Sequence, residues 1–127
     1  MNKKIAIVTG AAKGIGKSIV ERLVIDGFSV IAVDIDEVGG KKIQSANVEF
    51  IKADISDEQE VVSLFSKIKK VDVLVNNAGI IRDNMIWNMP SADFDLVMNI
   101  NLKGVWLMCR EAAKMMKEQK DNEDKKQ

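Results

Sequence analysis

The chain has no histidine and no tyrosine, and one cysteine, Cys109, among its 127 residues. The absence of histidine removes the commonest metal ligand and the usual neutral-pH proton carrier, and no metal site is expected. A single cysteine cannot close an internal disulfide, which fits a reducing, cytoplasmic setting. Nineteen basic residues balance nineteen acidic ones and no basic face is evident, so nucleic acid is not an expected partner. No apolar run approaches the length that spans a bilayer, and no membrane partner is expected. Met1-Asn2-Lys3-Lys4 ahead of Ile5–Val8 imitates a signal peptide only loosely, because the apolar run is short and Lys13 and Lys17 interrupt the stretch after it.

What is present is enough apolar sequence, 46%, for one domain with a core. Strand and helix patterns alternate along it. Ile5–Thr9 reads as a strand and Gly14–Asp26 as a helix with Ile15, Ile19, Val20 and Leu23 on one face, stopped by Gly27. Phe28–Val33 is a second strand, followed by a short helix around Glu37–Gln44, and Val48–Ala53 is a third strand. Ser56-Asp57-Glu58-Gln59 has the form of a capping box, opening a helix with Val61, Val62, Leu64, Phe65 and Ile68 inward. Val71–Val75, apolar except for Asp72, is a fourth strand.

Helical crossovers of this length require parallel strands joined right-handedly, and near-continuous apolar strands require cover on both faces. The expected fold is therefore a three-layer, doubly wound α/β sheet of the Rossmann type with strand order 3-2-1-4. After Pro90, one long helix is expected from Ser91 to Gln119, with Phe94, Val97, Met98, Leu102, Val105, Cys109, Ala112 and Met116 toward the sheet. Ile100, Trp106, Leu107 and Met108 make its middle apolar nearly all round, which predicts burial on two sides or a partner. Residues 117–127 read as frayed helix and solvated tail, giving a domain over 1–119 and a charged tail over 120–127. Trp87, Trp106 and the seven Met residues are expected as packing.

The chemistry-bearing positions lie at strand ends. Gly10, Gly14 and Gly16 follow the first strand: Gly10 allows a tight turn, Gly14 close backbone approach, and Gly16 packing of helix on strand. This is how a chain places bare N–H groups and a helix N-terminus against a pyrophosphate. Asp34, eighteen residues after Gly16 at the end of the second strand, is placed to accept from adenosine ribose hydroxyls and to repel a 2′-phosphate. NAD is therefore favoured over NADP, although Lys13 in the glycine turn pulls the other way; Asp36 is a solvated neighbour. Asp54 closes the third strand, either at an adenine pocket or as a plain turn residue. Asn76-Asn77-Ala78-Gly79 follows the fourth strand, where it can both bind ribose and hold the sheet edge. On the long helix, Asn101 faces inward and needs a partner, whereas Asn99 faces solvent.

Together these residues resemble the short-chain dehydrogenase/reductase family, on Thr9-Gly10-Ala11-Ala12-Lys13-Gly14-Ile15-Gly16, Asp54-Ile55, Asn76-Asn77-Ala78-Gly79 and Asn101-Leu102-Lys103-Gly104. Ile80 to Met89 is similar to the β-ketoacyl–acyl-carrier-protein reductase group. The resemblance implies hydride transfer between a nicotinamide dinucleotide and a carbonyl or alcohol carbon, such as that of a 3-oxoacyl thioester. Cofactor contacts are implied at Gly10, Lys13, Gly14, Ile15 and Gly16, at Asp34, at Asp54 and Ile55, and at Asn77, Ala78 and Gly79. Asn101 falls on the family's catalytic asparagine, which helps hold the water of a proton relay. The family's Ser and its Tyr-x-x-x-Lys lie downstream of the Asn101 helix and have no counterpart in these residues. The expectation is an amino-terminal, dinucleotide-binding half, inactive alone, since a developing alkoxide without its proton donor loses several kcal/mol of stabilisation. The alternatives are a non-catalytic protein that self-associates through the 91–119 helix or the open fourth strand, and one part of a split oxidoreductase.

Overall fold

A computed structural model describes residues 3–126, so Met1, Asn2 and Gln127 lie outside the described residues. The elements run β1 (Ile5–Thr9), α1 (Gly14–Ile25), β2 (Ser29–Asp34), α2 (Glu37–Ile43), β3 (Val48–Lys52), α3 (Glu58–Ser66) and β4 (Val73–Val75). A 3-10 turn at Ile86–Asn88 precedes α4 (Ser91–Met98), a π-helical segment (Asn99–Gly104) and α5 (Val105–Lys126). The four strands form one parallel sheet in the order β3-β2-β1-β4, as the crossover argument requires.

Alternation along the strands builds two core layers. On one face Val8, Val30, Ala32 and Val48 pack with Val20 of α1 and Ala11. On the other, Ile7, Ile31 and Val33 pack with Val61, Leu64 and Phe65 of α3 and with Leu107, Met108 and Ala112 of α5. Gly27, at φ +95°, ends α1 in the left-handed conformation that glycine adopts without strain.

Several expectations are corrected. Asp57, not Ser56, caps α3: its carboxylate accepts from Gln59 N (2.9 Å) and Glu60 N (3.2 Å), and an ionised acceptor outcompetes a hydroxyl there. The Ser56 hydroxyl instead donates to Asp54 Oδ1 at 2.6 Å. Val62 lies one residue off the inward 61-64-65-68 set and is exposed. Ile15 is 75% exposed, because the first turn of α1 extends past the end of β1 and has no sheet beneath it. β3 ends at Lys52, so Asp54 lies two residues beyond it.

β4 begins only at Val73, later than expected; just before it Asp72 N still donates to Ile5 O (2.9 Å), and side chains take up other backbone groups. The Gln119 amide of α5 accepts from Val71 N (2.7 Å) and donates to Val71 O (2.9 Å), and Asp72 Oδ2 accepts from Ile5 N (2.7 Å).

The long helix departs most. Its π-helical segment widens one turn and shifts the helical phase, so Phe94, Met98 and Leu102 point away from the core while Leu107, Met108 and Ala112 are buried. Cys109 is exposed as well. Trp87 (74% exposed) and Trp106 are not packed in the core, and among the methionines Met85 and Met98 are exposed while Met108 is buried. Instead, the guanidinium of Arg110 stands 4.9 Å from the Trp106 ring centroid. Finally, α5 does not fray after Lys117 but continues to Lys126, with i,i+4 pairs Lys117–Asp121 (2.8 Å) and Lys120–Asp124 (3.1 Å) along its solvated turns.

Candidate functional site

The carboxyl ends of β1, β2 and β4, with the turn after β3, bring the sequence-derived positions to one edge of the sheet. The chain leaves β1 toward β2 on one side and returns to β4 on the other, so a crevice opens where the order reverses.

At the centre, Gly10 (φ +62°) turns the chain out of β1 so closely under the next segment that a Cβ would stand 2.9 Å from Ala78 Cα. A Cβ on Gly16 would collide with the Gly10 carbonyl oxygen and reach the Asn77 amide, so Gly16 brings α1 onto the strand end, as expected. Gly14 (φ +58°) differs: a Cβ there would meet nothing within 4 Å, and the space before it is open. No side chain caps α1, and its first turn carries no acidic residue. Its leading N–H groups and partial positive charge therefore face open space, as an anion site requires.

The turn after β4 is tied to β1 by Thr9, a residue of the glycine motif with no role assigned to it from sequence. Its buried hydroxyl accepts from Asn77 N (3.1 Å) and Ala78 N (3.0 Å), and the Asn77 amide donates to Gly10 O (3.1 Å). The available signal was a polar residue closing an apolar strand, which must find partners once buried. The asparagine turn thus holds the sheet edge, as its plainer reading anticipated.

Asp34 is fixed at the end of β2: Oδ2 accepts from Ala12 N inside the glycine turn (3.0 Å) and Oδ1 from Asp36 N (3.0 Å). Asp36 is not merely solvated, since its carboxylate caps α2 at Gly39 N. Lys13 is exposed at the N-cap of α1. Beyond β3, Asp54 Oδ1 accepts from Ser56 N (2.9 Å) and Oγ, while Ile55 is buried in the core beside α5. Asn101 is exposed rather than inward-facing, and it pairs with the turn after β4: it donates to Ile80 O and accepts from Ile80 N, both at 2.9 Å, and its Oδ1 lies 3.3 Å from where a Gly79 Cβ would be. Asn99 is exposed, as expected.

Behind the crevice, α3 and α5 are joined by charge. Arg110 donates to Glu58 and to Glu111, each at 2.8 Å, and Lys114 lies 3.2 Å from Glu111. Burial alone would raise the Glu111 pKa, but the bonds from Arg110 and Lys114 outweigh it and hold the carboxyl below its ordinary value. The bonds to Glu58 and Glu111 raise that of Arg110. Two hollows lie elsewhere: one of about 340 Å³ at the opposite sheet edge around Ser29, Asn47 and Lys67, and one of about 380 Å³ between α1 and α2.

A strand-glycine-helix crevice with an acidic residue closing β2 defines a Rossmann-type nucleotide fold. The profile of the short chain dehydrogenase family matches residues 4–123, and the chain belongs to that family. Among curated relatives, the 3-oxoacyl-(acyl-carrier-protein) reductase of Buchnera aphidicola is 36% identical, over 90% of this chain and 50% of its own length. That of Staphylococcus aureus (strain Mu50) is 37% identical, over 92% and 52%. The 3-ketoacyl-(acyl-carrier-protein) reductase of Brucella melitensis, solved with NADH, superposes with a TM-score of 0.84 at 34% identity, covering 91% of this chain and 51% of that one. A short chain dehydrogenase/reductase of Burkholderia phymatum, solved with NAD, gives 0.83 at 27% identity, covering 90% and 44%. The chain spans about half the length of the curated relatives it matches. Among the described residues, no helix is long and apolar enough to cross a membrane.

Proposed function

We propose that the chain binds a nicotinamide dinucleotide in the crevice at the carboxyl ends of the strands, with NAD preferred to NADP. The observation that carries this reading is the open, uncapped N-terminus of α1 beside a carboxylate locked into the glycine turn by the Ala12 N–H. The glycine turn, from Gly10 through Lys13, Gly14 and Ile15 to Gly16, takes the pyrophosphate. Asp34 accepts from the adenosine ribose hydroxyls and repels a 2′-phosphate, and the Lys13 ammonium is left to solvent. Asp54 and the Ile55 backbone border the adenine, since the Ile55 side chain belongs to the core. Asn77, Ala78 and Gly79 line the ribose on the nicotinamide side.

When bound, the dinucleotide supplies hydride exchange at its nicotinamide carbon. Asn101 keeps the Gly79–Ile80 turn in place and is the one position here that matches the family's catalytic set. With no Tyr and no His among these 127 residues, a general acid for a carbonyl substrate such as a 3-oxoacyl thioester must come from other residues. The chain alone is therefore a binding half without turnover. Calorimetric titration with NAD and NADP tests the reading: NAD should bind, NADP more weakly, and absence of binding by either would overturn it.

A second reading rests on exposed apolar surface: Phe94 of α4, Leu102 of the π-helical segment and Trp106 of α5, with the unpaired edge of β4, favour self-association or a completing chain. Light scattering that shows a monomer at all concentrations would remove self-association, and co-expression with a chain carrying the general acid that gives no activity would remove the completing chain.

A further inference from the structure

Gly104 is the last residue of the π-helical segment and is buried. It is not among the glycines at positive φ, so its backbone does not require glycine. Within a long helix, glycine is destabilising relative to alanine. What the position demands is space: a Cβ there would stand 2.9 Å from both Cδ1 and Cγ1 of Ile55, and 3.3 Å from the Ile55 carbonyl oxygen.

Ile55 follows Asp54 in the turn that leaves β3. That turn is braced by its own polar bonds, Asp54 N to Glu60 Oε1 and Asp57 N to Asp54 O, and the start of α3 is tied to α5 through Glu58 and Arg110. Of these links, the Gly104–Ile55 contact is the apolar one, made by a buried side chain against bare backbone. The same six-residue segment carries Asn101, which grips Ile80 on the other wall of the crevice.

We propose that Gly104 is a positioning residue for the adenine side of the crevice: its missing side chain seats Ile55 and thereby sets where Asp54 and the Ile55 backbone stand. One widened helical segment then spaces both walls, with Asn101 at one end and Gly104 at the other. The inference rests on the dinucleotide reading only for its consequence in binding; the seating of the turn stands apart from it.

The test uses Gly104→Ala, Ile55→Val, and the two combined, in the full chain. Without nucleotide, Gly104→Ala should speed amide exchange at residues 54–57 while leaving residues 77–80 unchanged. Affinity for AMP should fall about tenfold, as expected for a methyl forced into a packed site, with affinity for nicotinamide mononucleotide unchanged. Ile55→Val removes Cδ1, one of the two side-chain atoms that the new Cβ would strike, and keeps Cγ1, so the combined variant should recover part of the exchange protection and of the AMP affinity. A general loss of packing would instead weaken both half-ligands together and would not be rescued. Unchanged exchange at 54–57 in Gly104→Ala, or a combined variant no better than the single one, overturns the proposal. If the wild type binds no AMP, the dinucleotide reading fails, and the exchange measurement still decides whether Gly104 seats the turn.

Discussion

Asp34 carries two duties that substitution separates. Its carboxylate accepts from Ala12 N, and in the proposed complex it also takes the ribose of the dinucleotide. Asp34→Ala should weaken NAD binding about tenfold or more, the scale of a lost hydrogen bond to a charged group, and narrow the gap to NADP. Calorimetry with both dinucleotides checks this, and Asp34→Asn, which keeps an oxygen for Ala12, separates charge from turn geometry. Thr9→Val should cost about 1–3 kcal/mol in denaturant unfolding, because Asn77 and Ala78 lose the acceptor of their N–H groups. Gly10, Gly16 and Asp34 were legible in the sequence because their constraints are local: a turn, a close approach, a strand end. Thr9 was not, because its partners are 68 and 69 residues away.

Elements were legible as far as their period stayed constant. β1 to β3 and their helices appear within a residue or two of expectation, since alternation and 3.6-residue periodicity hold within each. The phase of α4 to α5 was not legible, because no residue type in Asn99–Gly104 announces a wider turn, and a stripe drawn across it at constant period crosses from outside to inside. The long helix also carries a pH-sensitive carboxyl. Glu111 has its pKa depressed in the folded state, so its contribution is full above its ordinary unfolded value of about 4.3 and is lost as pH falls through the depressed value. The stability difference between wild type and Glu111→Gln should therefore be largest near neutrality and shrink below that window. Salt should shrink it as well, because Arg110 and Lys114 are partly exposed. Chemical denaturation at pH 7 and pH 3.5, each at low and at high salt, checks both.

Over the whole molecule, the two faces of the sheet are finished differently. One is covered by α1 and α2; the other depends on α3 and α5, beside an open β4 edge and the exposed Leu102 and Trp106. If that surface drives self-association, Leu102→Glu with Trp106→Glu should shift the light-scattering mass toward one chain, while Asp34→Ala leaves it unchanged. The cores also differ in their span of sequence. Every fully buried member of the α1–α2 layer comes from residues 8–48, whereas Ile7, Ile31 and Val33 on the opposite face are covered by Leu107, Met108 and Ala112. During synthesis the first layer can close as soon as β3 has left the ribosome. The other face waits for roughly sixty more residues, about 3–12 s at ordinary elongation rates. Through that interval the strands present an apolar face covered by α3 alone, the window in which a chaperone or a neighbouring nascent chain competes with α5. The Thr9–Asn77 tie and the Asn101–Ile80 grip can form only once residues 77 and 101 have emerged. The walls of the crevice are thus tied together only after the α1–α2 layer can close.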